Sequence, residues 1–263
     1  MTSGKQSKAQ RRAESQQRAA ERRAAERRSK QLRMSARIGG VVVLVGGIVA
    51  IVLAVTSGSG GVPPSQKNPN VKTVAIPASL KLVKPPATKA GPETIPLANG
   101  SKLADLSNAA TGQTVDGVQC NAGEQTVTHV HTHLTIFVNG KARVIPYGIG
   151  IPGFQAQATS SGPFVSTGTC FYWLHTHATD GIIHIESPST STTFTLGQFF
   201  AEWGQPLSST QVGPAKGKVT VFFDGRIYKG DPSNLPLGNH YQIQLDVGTP
   251  LVAPVKITNW GGL

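Results

Sequence analysis

From about Thr114 to Leu263 apolar and polar residues alternate with a period of two, and Asn-Gly and Asp-Gly pairs punctuate the alternation. An extended chain sends alternate side chains to opposite faces, and such pairs supply the two positive φ angles of a tight type I′ turn, so the pattern predicts antiparallel β-hairpins. Asn139-Gly140 joins a strand ending at Val138 to one starting at Lys141, and Asp224-Gly225 joins Val219–Phe223 to Arg226–Tyr228. Asp180-Gly181 predicts a third hairpin. Near the end, Tyr241, Ile243, Leu245 and Val247 alternate with Gln242, Gln244 and Asp246, a strand expected to have one wet face. One helix interrupts the strands. Thr195-Leu-Gly-Gln198 fits a capping box, Phe194 and Phe199 fit a hydrophobic staple around it, and Gly204 is the stop, with Phe199, Phe200 and Trp203 as the apolar face. The expected fold is mostly β, an antiparallel β-sandwich or small barrel with one short helix, and about 150 residues suffice for one core.

The pattern is different upstream. Residues 56–113 carry Gly-Ser-Gly-Gly, Pro63-Pro64, Pro85-Pro86 and scattered Lys, with little periodicity, and are expected to form an extended spacer in which Val71 to Ile76 could dock as an edge strand. Before them, residues 38–55 (Ile38 to Val55) form an uncharged run long enough to cross a bilayer as a single transmembrane helix. Charge supports that reading: residues 1–37 hold 12 of the 25 Lys and Arg but only 3 of the 13 Asp and Glu, so most of the net charge of +12 sits in a tail beside the span. By the positive-inside rule the tail stays in the cytoplasm, and residues 114–263 form a domain outside it. A cleaved signal peptide is the alternative, but its charged region is rarely this long. No cysteine directly follows the span, which excludes a lipoprotein anchor. The membrane accounts for the basic tail, so no nucleic-acid partner is expected.

Cys120 and Cys170 are the only cysteines, and both lie in the segment expected outside the cytoplasm. Oxidising surroundings favour a disulfide, which would close a loop of roughly 50 residues and stabilise the fold by about 4 kcal/mol on the chain-entropy model. A role for Cys170 as a metal ligand is the alternative, but strand parity turns it away from His175.

The seven histidines all fall between His129 and His240. Six come in two bursts, His129-Val-His131-Thr-His133 and His175, His177 and His184. With Asp180-Gly181 as a two-residue turn, His177 would face His184 and His175 would face Glu186, and all four would share one face of the hairpin. Alternate residues on a strand stand roughly 6.5 to 7 Å apart, so one ion cannot collect a whole H-x-H-x-H burst, whereas two neighbours and a cross-strand residue can reach one. His175, His177 and His184 therefore form the candidate metal site, with Glu186 as a fourth ligand or an orienting partner, and His131 and His133 as possible contributors from a neighbouring strand. Phe171 and Trp173 are expected to wall it. His240, at the start of an ordinary strand, stands apart. Imidazole without thiolate points to copper or zinc. The job would be metal capture, handling or sensing. A metalloenzyme or a metal-free envelope interaction module are the alternatives.

The blocks HVHTHLTIFVNG, CFYWLHTHATDGIIHIESP and FTLGQFFAEWGQPL resemble those of an uncharacterised family of membrane-anchored bacterial proteins with a His-rich exported domain. The resemblance covers most of residues 114–263 and implies the domain boundary more than an activity. Trp173, His175, His177, Asp180 and Gly181 are also similar to the W-x-H-x-H…D-G segment of multicopper oxidases, but the His-Cys-His segment of those enzymes is absent. The H-x-H, further His and carboxylate are similar to a cupin site, although here the acid follows the cross-strand His.

Overall fold

The computed structural model describes residues 71–263, so the expected basic tail and transmembrane helix lie outside the described residues. Among the described residues no helix is long and apolar enough to cross a membrane. The architecture is mostly β, built on a nine-stranded sheet. Its strands are β1 (Thr73–Val74), β2 (Ser101–Lys102), β3 (Thr128–Val138), β4 (Lys141–Val144), β5 (Leu174–His175), β6 (Ile182–Ser187), β7 (Val219–Phe223), β8 (Arg226–Tyr228) and β9 (Gln242–Val247). The order across the sheet is β1-β8-β7-β9-β3-β6-β5, with β4 pairing β3 and β2 pairing β4.

The sheet is not purely antiparallel, which corrects the expectation. β9 runs parallel to β3 at the centre, and β2 runs parallel to β4. A hairpin ladder cannot generate these pairs, because they join strands far apart in sequence. Two hairpins form as expected: Val138 pairs with Lys141 and Phe223 with Arg226. Their turn residues have the paired positive φ angles that two-residue loops need, 50° and 74° at Asn139-Gly140 and 48° and 75° at Asp224-Gly225.

Alternation decides which face of the sheet meets the main core. Leu134 and Ile136 of β3, Ile183 and Ile185 of β6, Val221 and Phe223 of β7, and Ile243 and Leu245 of β9 are buried together in one cluster with Phe199, Phe200 and Trp203. Those three aromatics come from helix α1 (Leu196–Trp203), which has the expected capping box at Thr195 and ends at left-handed Gly204. Within the helix Glu202 is fully buried and its carboxylate oxygens have no hydrogen-bond partner, so burial pushes its pKa well up.

The opposite face is also covered, contrary to the wet face expected for β9. Gln244 and Asp246 are buried, and with Gln242 they bind the backbone of the segment that follows. Gln242 accepts from the Ile257 N–H and donates to its carbonyl, Gln244 accepts from the Val255 N–H and donates to the Val252 carbonyl, and Asp246 accepts from the Val252 N–H at 2.6 Å. These side chains do for residues 252–257 what a neighbouring strand would do, and so satisfy buried backbone groups.

Residues 71–113, read from composition as spacer, contribute β1 and β2 to the sheet and bury Ile95 against Ile182, Ile257 and Trp260. The edge-strand expectation for Val71 to Ile76 is met by β1, where Thr73 pairs with Tyr228. Cys120 and Cys170 form the disulfide, with Cα atoms 5.5 Å apart, beside a short pairing of Tyr172 with Cys120.

Candidate metal centre

The two histidine bursts meet on adjacent strands. β6 pairs antiparallel with β3, which sets His184 opposite His131 and Glu186 opposite His129. On its other edge β6 pairs with β5, and here the register differs from expectation: His184 faces His175, not His177, and Leu174 faces Ile185. The pairing has moved by two positions, which preserves parity, so His175, His184 and Glu186 still share a face. Asp180-Gly181 is thus not a two-residue turn. The chain between β5 and β6, residues 176–181, is held elsewhere: Thr176 N–H donates to the Ile149 carbonyl, its hydroxyl donates to the Pro146 carbonyl, and the His177 carbonyl accepts from Val165 N–H.

Asp180 is occupied in the same way. Its carboxyl accepts from the Glu93 N–H at 2.9 Å and its carbonyl accepts from His133 Nε2 at 2.9 Å. The first contact fastens Glu93, from the supposed spacer, onto His184, with Oε1 2.6 Å from Nε2. Burial and the Glu93 charge push Asp180 up to about 8, so it is protonated at neutral pH. Burial opposes ionisation of Glu93 too, but the hydrogen bond and charge of His184 hold it below the usual carboxylate range.

Two imidazoles are fixed in one tautomer by carbonyls, which can only accept. His175 Nδ1 donates to the Tyr172 carbonyl at 2.8 Å and His177 Nδ1 to the Val165 carbonyl at 2.5 Å. Their Nε2 atoms are left bare and lie 3.1 Å apart. Burial, together with the charge of His184, pushes both pKa values down, His175 the further, so neither carries a proton to place between them. Two facing lone pairs repel unless a cation comes between. Carbonyls behind the ring are the usual device for aiming imidazole at a metal.

The donors have the spacing of a coordination shell. Four atoms about 2.0–2.1 Å from a tetrahedral ion stand about 3.3 Å from one another. Here His175 Nε2 is 3.1 Å from His177 Nε2 and 3.7 Å from Glu186 Oε1, and that oxygen is 3.4 Å from His184 Nδ1. Across the whole set of His175, His177, His184 and Glu186 the donors lie within 4.8 Å, and all four residues are buried. The cluster can hold a metal ion. A second set of the same compactness comprises His129, His131 and His184, in which His131 Nε2 lies 3.1 Å from His184 Nδ1.

Of the remaining residues named from sequence, His133 is adjacent but engaged: Nε2 donates to Asp180 and Nδ1 accepts from the Thr135 hydroxyl at 3.3 Å, and it belongs to neither set. Burial pushes it down to about 4. Phe171 meets His175 edge-on at 5.7 Å, whereas Trp173 turns toward Phe194 and donates to Asn121. The ring stacked on His177 is Phe164, 5.2 Å away. His240 is stacked on Trp260 with its ring Nε2 at the Leu263 carbonyl, although its backbone N–H donates to the His131 carbonyl. Sequence reading missed Glu93, Glu124 and Phe164. Glu124 lies 3.7 Å from His177 Nε2, and the disulfide four residues before it was a usable signal, because pinning Cys120 to Cys170 brings this segment to the His175 strand. Nothing in its neighbourhood marks Glu93.

A cavity of about 460 Å³ opens onto the cluster, with Glu93, Glu124, Phe164 and His129 among its walls. Fold and site together define a mostly β protein whose sheet carries a buried His/Glu cluster able to hold a metal ion. No family model, curated protein or solved structure matches the chain.

Proposed function

We propose that this is a membrane-anchored protein that binds copper or zinc outside the cytoplasm and serves in capture, handling or sensing of the ion. The observation that carries the reading is the pair of bare, buried Nε2 atoms of His175 and His177, aimed by carbonyls at a point that His184 Nδ1 and Glu186 also reach. For location, support comes from the apolar run at residues 38–55 with its basic flank, and from the pairing of the only two cysteines in a disulfide, which suits an oxidising compartment. The resemblance of the His-rich blocks to membrane-anchored bacterial proteins agrees with both.

The test is metal analysis of the full-length chain prepared without a His tag. Stoichiometric copper or zinc is expected, and it should be lost when His175 and His177 are both replaced by alanine. Metal-free protein that also fails to gain thermal stability from added Zn²⁺ or Cu²⁺ would end the proposal.

One observation favours a second reading, a metalloenzyme. The walls of the cavity include His177, His184 and Glu186 together with Glu124 and Phe164, so an ion here would keep a side accessible to water or a small substrate. Turnover that depends on the bound ion and falls in Glu124→Gln, with metal content unchanged, would select this reading over capture.

A further inference from the structure

We propose that the cluster holds two metal ions, bridged by Glu186; this rests on the reading that the cluster binds metal at all. The donors are too many for one ion. Five imidazoles and a carboxylate converge, while a tetrahedral site takes four ligands, and His175, His177, His184 and Glu186 already make that number. His129 and His131 remain, and they are no bystanders. His129 Nε2 lies 3.1 Å from Glu186 Oε1, and His131, 5% exposed, directs Nε2 at His184 Nδ1 from 3.1 Å.

Both compact sets include His184, but His184 can serve only one ion. Its Nε2 is committed to Glu93 at 2.6 Å, which leaves Nδ1 as its single donor. The group that links the sets must therefore offer two donor atoms, and Glu186 does. Its Oε1 stands between the sets, 3.1 Å from His129 and 3.7 Å from His175. Its Oε2 is buried and has no hydrogen-bond partner, although the residue is 2% exposed. An orphaned carboxylate oxygen at that depth is costly unless a cation meets it. A hydrogen-bond argument points the same way: once His184 Nδ1 binds an ion it can neither donate to His131 Nε2, 3.1 Å away, nor accept from it, so His131 loses that partner and a second cation supplies a new one.

In the two-ion arrangement, one ion takes His175, His177 and one oxygen of Glu186. The other takes His129 and His131 and shares the Glu186 carboxylate, and His184 completes one of the two shells. The separation expected of carboxylate-bridged pairs is about 3.5–4 Å. The half-exposed His129 places the second ion nearer the cavity mouth.

The test counts ions on the full-length, untagged chain loaded with Cu²⁺, and records its electron paramagnetic resonance. Two ions per chain with a broadened, spin-coupled signal are expected. His129→Ala, at a half-exposed position, should reduce the count to one and give the sharp signal of isolated Cu²⁺. His131→Gln should do the same. One ion in the parent chain, unchanged in His129→Ala, overturns the second site and leaves the metal-binding reading intact. Two ions without coupling overturn the bridge, and no ion in any form overturns both readings.

Discussion

The same dipeptide closes β7 onto β8 at Asp224-Gly225 and lies between β5 and β6 at Asp180-Gly181. At the first, both residues have positive φ, the flanking strands pair immediately, and the Asp224 carboxylate accepts from the Gln242 N–H of the next strand in the sheet. At the second, Gly181 alone has positive φ, 89°, and the strands do not pair until His175 meets His184. The difference lies in what surrounds each pair. Gly225 has nothing within 4 Å of where a Cβ would be, whereas a Cβ on Gly181 would stand 2.6 Å from the Leu134 carbonyl oxygen and 2.8 Å from His133 Nε2. An Asp-Gly pair left to itself makes a tight turn. When its carboxyl, carbonyl and Cα are all wanted by distant segments, tertiary contacts override the local preference.

Replacing each glycine by alanine should expose that difference most strongly. Gly225→Ala carries only the positive-φ penalty, about 1 kcal/mol, while Gly181→Ala adds a backbone collision and should cost about 3–4 kcal/mol. Denaturant melts of the metal-free chain measure both. Equal losses would mean that Gly181 is no more constrained than an ordinary turn residue.

The aspartates give a smaller contrast with a sharper readout. Asp180→Ala removes the acceptor that fastens the Glu93 backbone, and should cost about 2 kcal/mol of stability and weaken Zn²⁺ binding at least about tenfold as Glu93 leaves His184. Asp224→Ala, at a half-buried turn, should cost about 1 kcal/mol and leave the Zn²⁺ affinity within about twofold. Competition with a chelator dye measures the affinities. Parity between the two variants would show that the Glu93 segment does not support the site.

This contrast also explains what could be read from sequence. The hairpins at Asn139-Gly140 and Asp224-Gly225, the helix from Leu196 and the Cys120–Cys170 pair were legible because neighbours in sequence, or simple elimination, decide them. The shared face of His175, His184 and Glu186 was legible for a less direct reason: a register error of two conserves parity, so the wrong pairing still put the right residues together. Hidden from sequence were the contacts made through space. The parallel pairing of β9 with β3, the capture of residues 252–257 by Gln242, Gln244 and Asp246, and the arrival of Glu93 from residue 93 at a site centred near residue 180 join segments that no periodicity connects. Composition misled most at residues 71–113, where few apolar residues suffice because Ile95, Leu103 and Ala110 are buried and hydrogen bonds and short strands help to tie down the segment.

The gentlest probe is pH, and it separates the Asp180 region from the Asp224 region through a proton. In the metal-free protein burial opposes charge on His184, but its hydrogen bonds to Glu186 and Glu93 and their charges outweigh this and raise it to about 9. The usual histidine value is about 6.5, so this ion pair stabilises the metal-free fold fully below about pH 6.5, and the contribution is lost as pH rises through about 9. An ion that takes Nδ1 must displace the same proton. Burial lowers His131 to about 3 and also lowers His175 and His177, so at neutral pH these three have no proton to give up. Zn²⁺ affinity should therefore rise about tenfold per pH unit between pH 7 and 9, with one proton released per ion bound at His184, and level off above. Glu93→Gln, which removes one of the two carboxylates, should move the levelling point down toward the ordinary histidine range, while Asp224→Ala should leave it in place. Nuclear magnetic resonance titration of the His184 ring in the metal-free chain reads the same proton without any ion. A ring that titrates near 6.5 in the parent chain would dissolve the distinction, because Asp180 would then hold Glu93 in place without consequence for the site.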